Sequence, residues 1–236
     1  MHHVVVERWS RGSGPLHALD ARAKLGALLA FLVAVSTTPA RSQIAFGAYA
    51  ALMVAAMGAS RLPLGGLLRR AALVLPFSTT FALITWWSGD PLRALALAEK
   101  SLLSGLAALL LIATTPLTAV LAGFETTGAP RAVILAIQFL YRYLFVISEQ
   151  AQHMRLAARS RHGGSSARAL LFSASAGALG VLFARSWERA DGIYQAMLAR
   201  GFSGRFAVSV HPHFHAADLM FFSAVLATCT GIRLAA

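Results

Sequence analysis

Two arginines set among small residues carry the most specific chemistry in this chain: Arg159 within Ala158-Arg159-Ser160, and Arg200 within Ala199-Arg200-Gly201. A guanidinium presents a planar fork of donors that closes onto a carboxylate through two parallel bonds. Small neighbours let the groove of another protein approach the backbone on either side, so the pair reads as two docking points and not as catalytic groups. For either motif alone, Arg before a small residue at a helix end is ordinary capping. Glycine accepts the left-handed turn, which suits Gly163 and Gly201, and a cation in the last turn is favoured by the helix dipole. Recurrence at the ends of two adjacent long helices turns the reading towards docking.

Other polar groups offer less. His211, His213 and His215 alternate about Pro212, and Met1-His2-His3 sets a terminal amine beside an imidazole. Neither cluster has the carboxylate or cysteine co-ligands of a settled metal site, so no metal is expected on the chain. Asp218, Glu125, Glu149 and His153 are the candidates for acid-base work. None forms a recognisable pair inside an apolar run, and Glu149 with His153 at i, i+4 reads as a solvated pair. Asp218 is expected at a membrane interface. No Gly-rich loop followed by Lys-Ser or Lys-Thr is present to cradle a phosphate. The chain is therefore expected to bind no nucleotide and no cofactor of its own, and not to be an enzyme.

The elements that hold these residues are apolar. Of 236 residues 57% are hydrophobic and 13% charged, with a mean hydropathy of +0.65, which places the chain among all-α integral membrane proteins. The net charge of +12 lies in connectors between apolar runs and is not interleaved with stacking aromatics, so nucleic acid is not an expected partner. The single cysteine, Cys229, sits inside an apolar run as packing. Residues 1–24 are polar and lack a charged stretch followed by an apolar core and a cleavage site, so the first internal span is expected to act as an uncleaved anchor.

About five membrane spans follow from the apolar runs. Residues 25–124 are expected to hold four of them and a short connecting helix: Leu25 to Thr38, Ile44 to Ala59, Ala71 to Trp87 and Ser101 to Thr115, then Leu117 to Phe124. The first two form a tight hairpin in this reading, with Arg22 and Lys24 at the cytoplasmic end. Pro63 and Gly65-Gly66 break the basic connector before the third, and Trp86-Trp87 sits at the headgroup level. The last span is Ala216 to Leu234. Between them, residues 130–206 form two helices, from Arg131 to Arg161 and from Ser166 to Arg200. Each begins apolar and ends charged, as suits a helix that leaves the membrane boundary for water. Leu179, Phe183, Ser186, Ala190, Ile193 and Met197 step by four and three, a face for packing on a partner helix. Placing the N-terminus, the connector before the third span and residues 125–215 in the cytoplasm leaves only Arg41, Arg93, Lys100 and Arg233 outside. Two further spans, over Ala132 to Ile147 and Ala169 to Ala184, are disfavoured by Arg142, by the short second run and by that charge balance.

Several stretches together resemble a known family. Leu19-Asp20-Ala21-Arg22-Ala23-Lys24-Leu25, Thr114-Thr115-Pro116 and Arg142-Tyr143-Leu144 match in part. Arg185-Ser186-Trp187-Glu188-Arg189-Ala190 and Tyr194-Gln195-Ala196-Met197-Leu198-Ala199-Arg200-Gly201-Phe202 match most densely. The chain resembles the transmembrane T component of energy-coupling factor transporters, most of all the CbiQ type of cobalt and nickel uptake systems, over most of its length. The resemblance implies that Ala158-Arg159-Ser160 and Ala199-Arg200-Gly201 dock into two copies of a cytosolic CbiO-like ATPase that carries the ATP and Mg²⁺. It also implies a CbiM-like substrate-binding membrane subunit, with a small accessory membrane subunit as a further option, and a place in the bacterial inner membrane. Ser160 departs from the glycine of that pattern. Two alternatives stand beside this reading: a T component for another micronutrient such as a vitamin, and a His-rich membrane metal-binding protein.

Overall fold

A computed structural model describes residues 12, 14–60, 62, 64–73, 75–161, 168–204 and 214–235. Among them the chain is helical throughout, with α1 (Ala21–Thr37), α2 (Gln43–Ser60), α3 (Leu64–Ala71), α4 (Leu75–Trp87), α5 (Pro91–Thr114), α6 (Leu117–Thr126), α7 (Arg131–Arg161), α8 (Arg168–Ala199) and α9 (Ala216–Leu234). The helices fall into two units: Met1–Ala129 with Pro212–Ala236, and Pro130–His211.

In the first unit α5 is the spine, packed against α1, α2, α3 and α4. Asp90 starts it by accepting from the Arg93 amide at 3.4 Å, and Pro91 occupies the first helical position, where its missing N–H costs nothing. The helix therefore begins ten residues before the expected Ser101 and takes in Glu99 and Lys100. At ~1.5 Å per residue its 24 residues reach ~36 Å, enough to cross a bilayer. Leu103, Leu106 and Leu110 face a buried cluster that includes Phe31, Phe46, Tyr49, Met53 and Cys229. The rings of Phe31 and Tyr49 meet edge to face at 5.7 Å, and the Tyr49 hydroxyl donates to the Cys229 carbonyl at 3.5 Å. Cys229 is buried packing, as expected.

The tight hairpin of the first two runs does not form. α1 lies chiefly against α9 and α5, and α2 against α5 and α9. Gly26 explains the choice: a Cβ there would stand 2.9 Å from the Phe222 ring, so only glycine admits α9 this close to α1. The third span also differs from expectation. The basic connector is helical as α3, with Arg69 and Arg70 in its last turn where the dipole favours them. It meets the thirteen-residue α4 at a bend of 51°. Pro76 sits in the first turn of α4, where proline is tolerated but cannot continue a preceding helix.

Among the described residues four helices are long and apolar enough to cross a membrane, namely α2, α5, α7 and α9, or five if the bent pair α3–α4 is one span. The number agrees with the expected five, but the membership differs. α1, at seventeen residues, lies at the short end of spanning lengths, and α7 qualifies through its apolar first half. In the second unit α7 and α8 have 31 and 32 residues, each ~45–50 Å long.

Gly26→Leu is expected to destabilise the protein by ~1–3 kcal/mol through overpacking against Phe222. Thermal melts in detergent should show the loss, and Phe222→Ala in the same chain should restore part of it.

Candidate functional site

α8 closes in a way that fixes the position of Arg200. The Gly201 amide donates to the Leu198 carbonyl at 2.9 Å and the Phe202 amide to the Met197 carbonyl at 3.0 Å. Gly201 stands at φ +77°. Those two bonds around a left-handed residue form a Schellman motif, which satisfies carbonyls the helix leaves free. Arg200 is the half-helical residue just before the left-handed turn, so its side chain leaves from a defined end. It is exposed. A Cβ on Gly201 would meet nothing within 4 Å, so glycine is required there by backbone conformation and not by space.

α7 carries the second motif within its last turn. Ala158, Arg159 and Ser160 are helical, and the helix continues to Arg161. The Ser160 hydroxyl donates back to the Ala157 carbonyl at 2.9 Å. Serine at this place therefore hides its own polar group along the helix, as Ser does when it bonds three or four residues back. Arg159 is exposed. Among the described residues neither Arg159 nor Arg200 forms an ion pair. Gly163, expected to end this helix, lies outside the described residues.

The crossing of α7 and α8 places part of the expected apolar stripe. Phe139, Leu140, Tyr143 and Ile147 of α7 face Ser186, Arg189, Ala190, Ile193 and Met197 of α8 around a cavity of about 340 Å³. Phe139 and Tyr143 stack there at 6.2 Å. Ala190, Ile193 and Met197 thus line the crossing with Ser186, whose hydroxyl is turned onto the Leu182 carbonyl at 2.7 Å. Leu179 and Phe183 do not: they are 66% and 72% exposed, and Leu182 holds the inward position in that turn. With Trp187, 71% exposed, Leu179 and Phe183 form a separate outward row at i, i+4, i+8.

The remaining candidates separate. His2, His3, His211 and His213 lie outside the described residues, and among those described no group of three His, Cys, Asp or Glu is arranged to hold a metal ion. Glu149 and His153 are exposed on α7. Asp218 is buried within the protein: its carboxylate accepts the His215 amide at 2.8 Å and the Asp20 amide at 2.8 Å. That role was missed in the sequence, although Asp at the third position of a helix is a capping signal.

A family model for CbiQ, described as cobalt transport protein, matches residues 12–212. The chain belongs to the CbiQ family. The match takes in α1 to α8 with both arginine motifs and ends before α9. Among curated relatives, the uncharacterised protein MJ1571 of Methanocaldococcus jannaschii is 25% identical over 86% of this chain and 76% of its own. The uncharacterised MJ1089 of the same organism is 31% identical over 44% of this chain and 39% of its own. The cobalt transport protein CbiQ of Rhodobacter capsulatus is 30% identical over 50% of this chain and 48% of its own. The similarity thus spans less than half the length of two of these three relatives. As a CbiQ-family member with at least four helices among the described residues apolar enough to cross a bilayer, the chain is a multi-pass membrane protein.

Gly201→Ala is expected to cost ~1–2 kcal/mol through the left-handed conformation alone. Hydrogen exchange at the amides of Arg200, Gly201 and Phe202 should quicken, with the core amides of α5 unchanged.

Proposed function

We propose that this CbiQ-family chain is the transmission subunit of an energy-coupling factor importer for cobalt or nickel. The observation that carries the reading is Arg200, exposed without an ion-pair partner among the described residues and held at the Schellman-closed end of a 32-residue helix. Arg159 in the last turn of α7 is its counterpart. Each guanidinium docks onto carboxylates in a groove of one copy of a cytosolic CbiO-like ATPase, where ATP and Mg²⁺ are bound. This chain binds neither and catalyses nothing. When the ATPase pair closes on ATP, the tips follow, and α7 and α8, joined at the aromatic crossing, pass the movement to a CbiM-like substrate-binding membrane subunit. Rigidity is what makes this physical: a helix whose last turn frays would absorb the displacement in its own hydrogen bonds. The exposed row of Leu179, Phe183 and Trp187 supplies apolar surface for the membrane partner. The cobalt reading draws on the family and on the Rhodobacter capsulatus relative.

In this reading the protein lies in the inner membrane with its N-terminus and both arginine tips in the cytoplasm, the side favoured by the basic residues. α7 then runs along the boundary and projects from it, although its length and composition also suit a span.

Replacing Arg159 and Arg200 together by Glu is expected to abolish co-purification of the ATPase and uptake, each reversal weakening association by ~2–5 kcal/mol. Normal assembly of that variant would refute the docking role. Ser148→Cys in a Cys229→Ala background should react with a membrane-impermeant maleimide only in inside-out vesicles. Labelling from the outer face would make α7 a span.

A further inference from the structure

The first turn of α1 joins three chain segments that are remote in sequence. The Asp20 side chain accepts from the Arg22 amide at 2.9 Å and so caps its own helix. Its amide donates to Asp218 Oδ1 at 2.8 Å, and Asp218 Oδ2 takes the His215 amide at 2.8 Å. One carboxylate, 4% exposed, thus closes the start of α9 and ties it to the start of α1. One turn along, Lys24 is 6% exposed. Its Nζ turns inward and donates to the Thr114 carbonyl at 3.2 Å and to Thr115 Oγ1 at 3.1 Å. Those bonds hold the end of α5 just before Pro116 breaks the chain into α6. On the third side α6 rests on this turn through Gly123, where a Cβ would lie 3.4 Å from Leu25 and 3.7 Å from Ala21 and Arg22.

These segments are where the chain passes between its two units. α6 closes at Thr126 with the Gly128 amide donating to the Glu125 carbonyl at 3.3 Å and the Ala129 amide to the Phe124 carbonyl at 3.1 Å. Gly128 stands at φ +100°, the same closure as at Gly201, and the next residue, Pro130, opens the second unit. The chain returns to the first unit at Pro212 and enters α9 at Ala216. Exit and return are therefore both fastened to Asp20–Lys24, the exit through Gly123 and Lys24 and the return through Asp218.

We infer that Asp218, Lys24 and the turn Asp20-Ala21-Arg22-Ala23-Lys24 form a positioning clamp. It holds the two connections of the coupling helices to the membrane unit against the force that the ATPases apply. Asp218 and Lys24 touch neither nucleotide nor cargo; they act by keeping the ends of α6 and α9 fixed while α7 and α8 move. A charged acceptor suits the task, because a carboxylate takes two amides at once, one on each oxygen. An amide at the same place accepts with one atom only. The inference rests on the transmission role proposed above.

The test uses the importer reconstituted in liposomes with its ATPase and substrate-binding subunits. ATPase rate and cobalt uptake are measured together for Asp218→Asn and for Lys24→Met. Both variants should retain the ATPase on co-purification and keep its rate, while cobalt transported per ATP falls about tenfold, the scale of losing one hydrogen bond that involves a charged group. Amide exchange should rise in both 123–129 and 214–219. An unchanged ratio in both variants overturns the clamp, and so does a fall of ATPase and uptake in proportion or a loss of assembly in both, since those are the marks of simple destabilisation. Failure of the transmission role would show elsewhere, as an ATPase that stays bound when Arg159 and Arg200 are reversed.

Discussion

An α-helix leaves four N–H groups and four C=O groups unpaired at its ends, and in a chain this apolar neither lipid nor a greasy neighbour can take them. Much of the architecture follows from how those ends are closed. Carboxylates start the helices that matter most to the first unit: Asp20 on α1, Asp90 on α5 and Asp218 on α9. Left-handed glycines close α6 and α8 with matching pairs of backbone bonds. Within the helices, hydroxyls such as those of Thr114 and Thr230 turn back onto carbonyls three or four residues earlier, which lets a polar residue sit in an apolar helix without an outside partner.

The two glycine closures have different consequences. At Gly128 the closure ends the membrane unit cleanly, so that the chain enters α7 from a fixed point. At Gly201 it ends α8 just beyond an exposed arginine, so that a charge is presented from a rigid tip. A docking residue on a frayed end would have to be ordered on binding, at a cost of about 1–2 kcal/mol per residue in backbone freedom. The Schellman bonds meet that cost within the chain. In the proposed role the half-buried crossing of Phe139 and Tyr143 with Ile193 and Met197 is more than filling, because two long helices joined at one place would move as a pair.

The boundaries of α7 and α9 were legible to the residue, Arg131–Arg161 and Ala216–Leu234. Pro130 starts the first, and the polar run through His215 precedes the second. Faces were harder. Leu179 and Phe183 share the four-and-three spacing of Ser186, Ala190, Ile193 and Met197, yet they point outward while Leu182 turns in. In water an apolar stripe marks the inside of a protein. In a membrane protein the outside is apolar as well, so the stripe no longer says which side is the core. The bend between α3 and α4 and the early start of α5 were obscured in a related way. The arginines before α4 read as a connector, and the charged residues before Ser101 lie outside the apolar run, although local capping and helix dipoles keep both stretches helical.

By itself the sequence determined that this is a helical membrane protein whose two longest helices end in arginine beside small residues, because apolar run length, proline breaks and glycine caps act within a few residues along the chain. Tertiary structure alone decided that α1 lies beside α9 instead of α2. It also decided that Asp20 and Asp218, 198 positions apart, share one hydrogen bond, and that Lys24 turns inward to the end of α5. Those pairings depend on a close approach at Gly26 and on buried polar groups finding each other across the fold, and no spacing along the chain encodes which distant partner completes a cap.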